Sequence, residues 1–185
     1  MDLNHMALAM ASYGSIAMFH VIGITPQAPD WNTACGGRTL DARIISQDHL
    51  NNFYDEWGGV GERLDVVALS TPQLGITELV QIAELLDGRK VDPDTTLLVY
   101  APSEIKRAAA HIGLVQSIEN AGGRVVHGHD FFATFAREIR EAHGWQRLMT
   151  HSVKMVNICE GYGYKPTPAS IPRCIESAIA GKVMA

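Results

Sequence analysis

From residue 64 onward, short apolar runs alternate with segments of helical period. Leu64-Asp65-Val66-Val67-Ala68-Leu69 reads as a buried strand, and Ile76 to Leu86 as an amphipathic helix with Gly88 behind it as a stop. Thr95 to Tyr100 is the next predicted strand, and Ser103 opens a long helical stretch interrupted at Gly113 and ending near Gly122 and Gly123. Arg124 to His127 reads as a third strand, Phe132 to His143 as a third helix and Gln146 to Thr150 as a fourth strand. The last predicted helix is Ile171 to Ala180, capped by Ser170, with Pro172 tolerated in its first turn. Strands that alternate with helices of this length imply βαβ units and an α/β fold with a mostly parallel sheet flanked by helices.

The first sixty residues are less regular. Leu8 to Ala17 carries Ala, Ser and Gly and reads as a buried helix that packs closely on a neighbour. Phe19 to Ile24 suits a buried strand or a tight extended segment. Pro26, Pro29, Gly36 and Gly37 mark a loop, Asp41 to Ile45 reads as a strand, and Ser46 caps a helix running to about Glu56. Gly58-Gly59-Val60-Gly61 is either a hinge between a segment 1–60 and an α/β unit 61–185 or an internal turn.

Composition adds exclusions. A chain of 185 residues that is 46% hydrophobic and 19% charged can bury a core of its own. The net charge is −5 with no basic tract, which argues against nucleic acid as a partner. No apolar run is long enough to cross a bilayer. The opening stretch lacks the basic start of a signal peptide, and Cys35, Cys159 and Cys174 are three widely spaced cysteines that point to a reducing cytoplasm.

In a parallel sheet, ligands gather outside the carboxyl ends of the strands. Four polar segments fall there: Ser70-Thr71-Pro72-Gln73, Ala101-Pro102-Ser103, His127-Gly128-His129-Asp130 and Thr150-His151-Ser152-Val153-Lys154. Each serves equally as a helix cap, because Ser, Thr and Asp satisfy the first free N–H groups of a helix. The His127–Asp130 segment is a metal site or a polar turn; Lys154 is a clamp for a substrate carboxylate or a surface cation. Cys174 is a thiolate favoured by a helix N-terminus or a structural cysteine, and His20 is a binding residue or a satisfied core histidine.

Read in order, four blocks carry a resemblance. They are Ser12 to Pro29, Leu64 to Leu86, Thr150-His151-Ser152-Val153-Lys154, and Cys174-Ile175-Glu176-Ser177-Ala178-Ile179-Ala180-Gly181. Together they resemble the second half of the large catalytic component of the aconitase X family. The resemblance implies a three-layer aconitase-like α/β domain and a hydro-lyase acting on a small hydroxy acid such as cis-3-hydroxy-L-proline. It also implies an iron or iron–sulfur centre, and a small swivelling-domain subunit or an N-terminal half as partner. On this reading Ser152 and Lys154 are catalytic, His20, Ser70, Thr71 and Gln73 bind substrate, and His129, His151 and Cys174 hold metal. The chain also departs from the family. Thr71-Pro72-Gln73 stands where Cys-Pro-His is common, His127 to Asp130 where Asp-Thr-Cys is frequent, and His151 where Asn is usual. These departures keep open an aconitase-like module that binds without catalysing. An ordinary nucleotide-binding α/β domain ranks last, since no GxGxxG or Walker loop is present.

Overall fold

The computed structural model describes residues 3–185. Its centre is a five-stranded sheet of β1 (Val66–Leu69), β2 (Thr96–Tyr100), β3 (Gly123–Val126), β4 (Arg147–Thr150) and β5 (Lys165–Pro168), in the order β3-β2-β1-β4-β5. Every neighbouring pair is parallel, with Val66 opposite Thr96 on one side and Leu148 on the other. The α/β expectation is met.

The alternation along β1 divides the core. Val67 and Leu69 face the layer of α4 (Ile76–Leu86), α5 (Ser103–His111), α6 (Leu114–Asn120) and α9 (Ile171–Ala180), where Leu79, Ile82, Ile118 and Ile175 are buried. Val66 and Ala68 face the layer of α7 (Ala136–His143) and α8 (Val153–Gly161), where Phe131, Met155 and Tyr164 are buried. All four β1 residues are buried because both faces of a parallel sheet are covered. At the amino end of the sheet the Asp65 carboxylate accepts from the Gln146 and Arg147 amides at 2.7 and 2.8 Å, which ties β1 to β4.

The helix expected over Phe132 to His143 is broken. A short 3₁₀ turn, Phe131–Ala133, precedes Phe135 in the left-handed region at φ 58°, and α7 begins only at Ala136. In the α/β part, α8 and β5 escape the sequence reading. Pro166 and Pro168 disguise β5, yet it is an edge strand, where a missing N–H donor is tolerated.

The first sixty residues depart most. The small-residue helix exists as α1 (Leu3–Gly14), but none of its residues is fully buried. It lies on α8, held by the Asn157 amide donating to Ser12 at 3.0 Å (O) and 2.8 Å (Oγ). Phe19 to Ile24 is not a strand. Gly23 at φ 74° and Pro26 fold residues 21–28 into turns, with the Gly23 amide donating to the Ala28 carbonyl at 2.8 Å. Asp41 to Ile45 is exposed coil, since no ladder partner stands beside it; Ile44 is 81% exposed. A short helix, α2 (Trp31–Cys35), lies within the expected loop. The capped helix is α3 (Gln47–Trp57), where the Ser46 hydroxyl accepts from the His49 amide. Among the described residues no helix is long and apolar enough to cross a membrane.

Candidate functional site at the carboxyl rim of the sheet

The chain runs outward from β1 through β2 to β3 and returns to β4 on the other side of β1, so the topological switch lies between β1 and β4. The polar segments that follow these strands form one rim.

On the β1 side Ser70 is fully buried. Its hydroxyl accepts from the Phe131 amide at 3.1 Å and donates to Asp130 Oδ1 at 3.4 Å, joining the ends of β1 and β3 across β2. Its neighbour Thr71 holds φ at 53°, a left-handed conformation costing a β-branched residue on the order of 1–3 kcal/mol. Its hydroxyl stands 3.4 Å from that of Ser70, and Gln73 sits half-buried in the same turn. The Leu74 amide donates to the Tyr100 carbonyl at 2.8 Å and pins the turn to β2. Burial and the nearby Asp130 carboxylate push the Tyr100 phenol up, against a hydrogen bond from Thr134. His129 is exposed, with its ring 6.1 Å from that of Tyr100. His127 pairs with the Ser103 hydroxyl at 3.1 Å.

On the β4 side Ser152 is buried and caps α8, accepting from the Met155 amide at 3.3 Å. Lys154, in the first turn of α8, places its ammonium 5.3 Å from the centre of the Phe132 ring. This contact joins the segment after β4 to the segment after β3. His151 is half-buried, its ring 4.9 Å from that of His5 on α1. Both line a cleft of about 460 Å³ with Tyr54, Val153, Ser170 and Ile171. Of the residues singled out from sequence, the rim thus gathers Ser70, Thr71, Gln73, His151, Ser152 and Lys154. His20 lies on the exposed loop after α1, with its ring nitrogen 3.4 Å from the Thr25 hydroxyl.

The three expected iron ligands do not meet. His129 is exposed beside Tyr100, His151 lies in the cleft, and Cys174 is fully buried on the sheet-facing side of α9. The Cys174 thiol donates to the Ala169 carbonyl at 3.8 Å, and burial pushes its pKa up, so it is held as a thiol. The helix-dipole argument for a thiolate loses here to desolvation. Among the described residues no three of His, Cys, Asp and Glu stand together as a metal-binding group, so they do not fit the iron centre that the resemblance implies.

The buried thiols carry a prediction. Cys159 is pushed up from 9.0 to about 12 by burial, and Cys174 is raised as well. An unfolded thiol loses its proton at lower pH than either, so this contribution to stability is whole below pH 9.0 and is lost as pH rises towards about 12. Urea midpoints measured across that window fall with pH, and Cys159→Ala flattens the slope relative to the parent chain.

Sequence reasoning missed three rim residues. Asp130 was seen only as part of a segment; its pairing with Ser70 depends on strand order. His5 and Tyr54 come from helices whose docking the pattern does not specify. A histidine inside the otherwise apolar start of α1 was the available signal for His5.

Comparison with known proteins agrees with this architecture. Residues 64–180 match the model of the aconitase X third domain, and residues 1–55 that of the aconitase X second domain. The chain is similar to cis-3-hydroxy-L-proline dehydratase of Pseudomonas aeruginosa, at 31% identity over 97% of this chain and 31% of that protein. It is also similar to the phosphomevalonate dehydratase large subunit of Methanothermobacter thermautotrophicus, at 30% identity over 86% of this chain and 38% of that protein. The holo-form crystal structure of Thermococcus kodakaraensis aconitase X has the same fold, with a TM-score of 0.82 at 23% identity, covering 95% of this chain and 43% of that one. The chain therefore spans about a third to two-fifths of the length of these relatives.

Proposed function

The chain belongs to the aconitase X family, and we propose that it forms part of a hydro-lyase that removes water from a small hydroxy acid such as cis-3-hydroxy-L-proline. The observation that carries this reading is the rim itself, where the ends of β1, β3 and β4 converge at the switch point with Ser70, Asp130 and Lys154. In the reaction a C–H bond beside the hydroxyl-bearing carbon breaks and its electron pair forms the C=C bond. The C–O bond breaks as the C=C bond forms, and the hydroxide departs with that proton as water. In this proposal the Lys154 ammonium clamps the substrate carboxylate. Ser152 fixes the first turn of α8, and with it Lys154, while Ser70, Thr71 and Gln73 present polar groups to the substrate hydroxyl. His20 is not needed for it. Because the described residues do not assemble a ligand set for iron, no step is assigned to it.

The reading includes a partner and two units, 1–60 and 61–185. Exposed apolar side chains concentrate in the first, among them Met18 at 76%, Ile24 at 59%, Trp31 at 49% and Ile44 at 81% exposure. Apolar surface of this extent supports docking against the rest of an aconitase X assembly, either a small subunit or a further segment of the large one. The free buried cysteines support a cytoplasmic setting. The lack of a gathered ligand set favours a second reading, an aconitase-like module without catalysis.

Lys154→Met tests the clamp in the assembled enzyme. Loss of a charge-assisted contact worth about 1.5–3 kcal/mol lowers kcat/KM for the hydroxy acid roughly 10- to 150-fold, mostly through KM. Unchanged kinetics in that variant contradict the clamp.

A further inference from the structure

Lys154 stands where the helix dipole does not favour a cation. It is the second residue of α8, at the positive end of that dipole. It is half-buried, and among the described residues it forms no ion pair with a carboxylate. Its ammonium faces the Phe132 ring instead, 5.3 Å from nitrogen to ring centre. The face of an aromatic ring carries partial negative charge and attracts a cation, most strongly where water is partly excluded. We propose that Phe132 is a positioning residue for the rim: its ring holds the Lys154 ammonium in place without neutralising it, so the charge stays available to a substrate carboxylate. This inference rests on the clamp role proposed for Lys154.

The surroundings fix the ring. Phe132 is half-buried and packs on the core cluster that contains Phe131, Met155 and Tyr164. A second contact of the same kind closes the other end of α8. There Arg137, in the first turn of α7, lies 5.4 Å from the centre of the Tyr162 ring, just past the last residue of α8. The segment after β3 and helix α8 are thus clasped at both ends by a cation and a ring. A carboxylate in place of Phe132 would also hold the ammonium, but it would compete with the substrate for the same charge. A ring attracts through its face and leaves N–H donors for a carboxylate.

Two readouts test it, with circular dichroism checking that each variant is folded. The first is magnetic resonance of the full chain labelled with ¹³C at the lysine ε-carbon, where the Lys154 signal is identified by its loss in Lys154→Met. The ring current displaces that signal upfield in the parent and in Phe132→Tyr, and the displacement disappears in Phe132→Leu. The second is kinetics in the assembled enzyme. Phe132→Leu raises KM for the hydroxy acid roughly three- to tenfold with little change in kcat, and Phe132→Tyr restores it. Phe132→Glu raises KM as well, by pairing with Lys154, whereas Arg137→Gln at the other end of the clasp leaves KM unchanged. A Lys154 signal that does not move in Phe132→Leu overturns the contact. An unchanged KM in Phe132→Leu beside a raised one in Lys154→Met overturns the positioning role while the clamp stands. An equal rise in Arg137→Gln would mark a general loosening of α7 and α8 and overturn it too. Unchanged KM in both Phe132→Leu and Lys154→Met removes the clamp, and the positioning role with it.

Discussion

Phe131→Ala lowers the unfolding free energy by about 3–5 kcal/mol, the range for truncating a buried phenylalanine that leaves a cavity behind. Phe131 is fully buried, and its ring meets those of Tyr100 and Tyr164 edge-on at 6.3 and 6.0 Å. It fills the space between the sheet and the layer of α7 and α8. Its amide also donates to Ser70 and thereby holds Asp130 at the rim. The alanine variant keeps that amide, so its loss falls on the packing of the core. Phe131→Leu keeps most of the volume and costs about 1 kcal/mol. Urea unfolding followed by circular dichroism measures both, and a loss below 1 kcal/mol for the alanine variant would contradict the packing described.

Asp65→Ala acts at the opposite end of the sheet. One carboxylate oxygen accepts from two backbone amides, those of Gln146 and Arg147, and joins β1 to β4 where the chain returns across the switch. Removing it leaves the part-buried Arg147 amide short of an acceptor, at a cost of about 1–3 kcal/mol, while the exposed Gln146 amide turns to water. The ion pair to Arg63 is lost as well, but at 3.8 Å with Arg63 69% exposed it adds little. Asp65→Asn retains a carbonyl acceptor and loses about half as much. Hydrogen exchange localises the effect. The Arg147 amide loses protection in Asp65→Ala before the β2 amides do, whereas uniform loss across the sheet would point to a global effect instead.

The sheet was legible because its strands are continuous apolar runs separated by helical periods. The interval Ile76–Leu86 and the last helix, Ile171–Ala180, emerge with the bounds expected from their punctuation. The edge strand β5 was not legible, since two prolines in four residues argue against a strand everywhere except at an edge, and edge position is set only by assembly. In the first sixty residues the pattern misled for another reason. Apolar runs such as Phe19–Ile24 and Ile44–Ile45 predict burial, yet Ile22, Ile24, Ile44 and Ile45 are exposed in this chain. The rule that ligands collect at carboxyl ends pointed to segments that do lie along one rim of the sheet. It did not reveal that Ser70 reaches Asp130 across β2, which requires the order β3-β2-β1. For Cys174 the stripe Ile171, Cys174, Ile175 and Ala178 at helical spacing was the sign of a core position, and it outweighs the proximity of a helix N-terminus.

The most direct test of the proposed activity is to combine this chain with the remaining aconitase X parts and follow loss of water from cis-3-hydroxy-L-proline. Formation of the dehydrated product in the complete mixture, and its absence when this chain is omitted, is the predicted result. A complex that assembles stoichiometrically yet turns over neither this substrate nor a phosphorylated hydroxy acid would contradict the hydro-lyase reading and leave the non-catalytic module in its place.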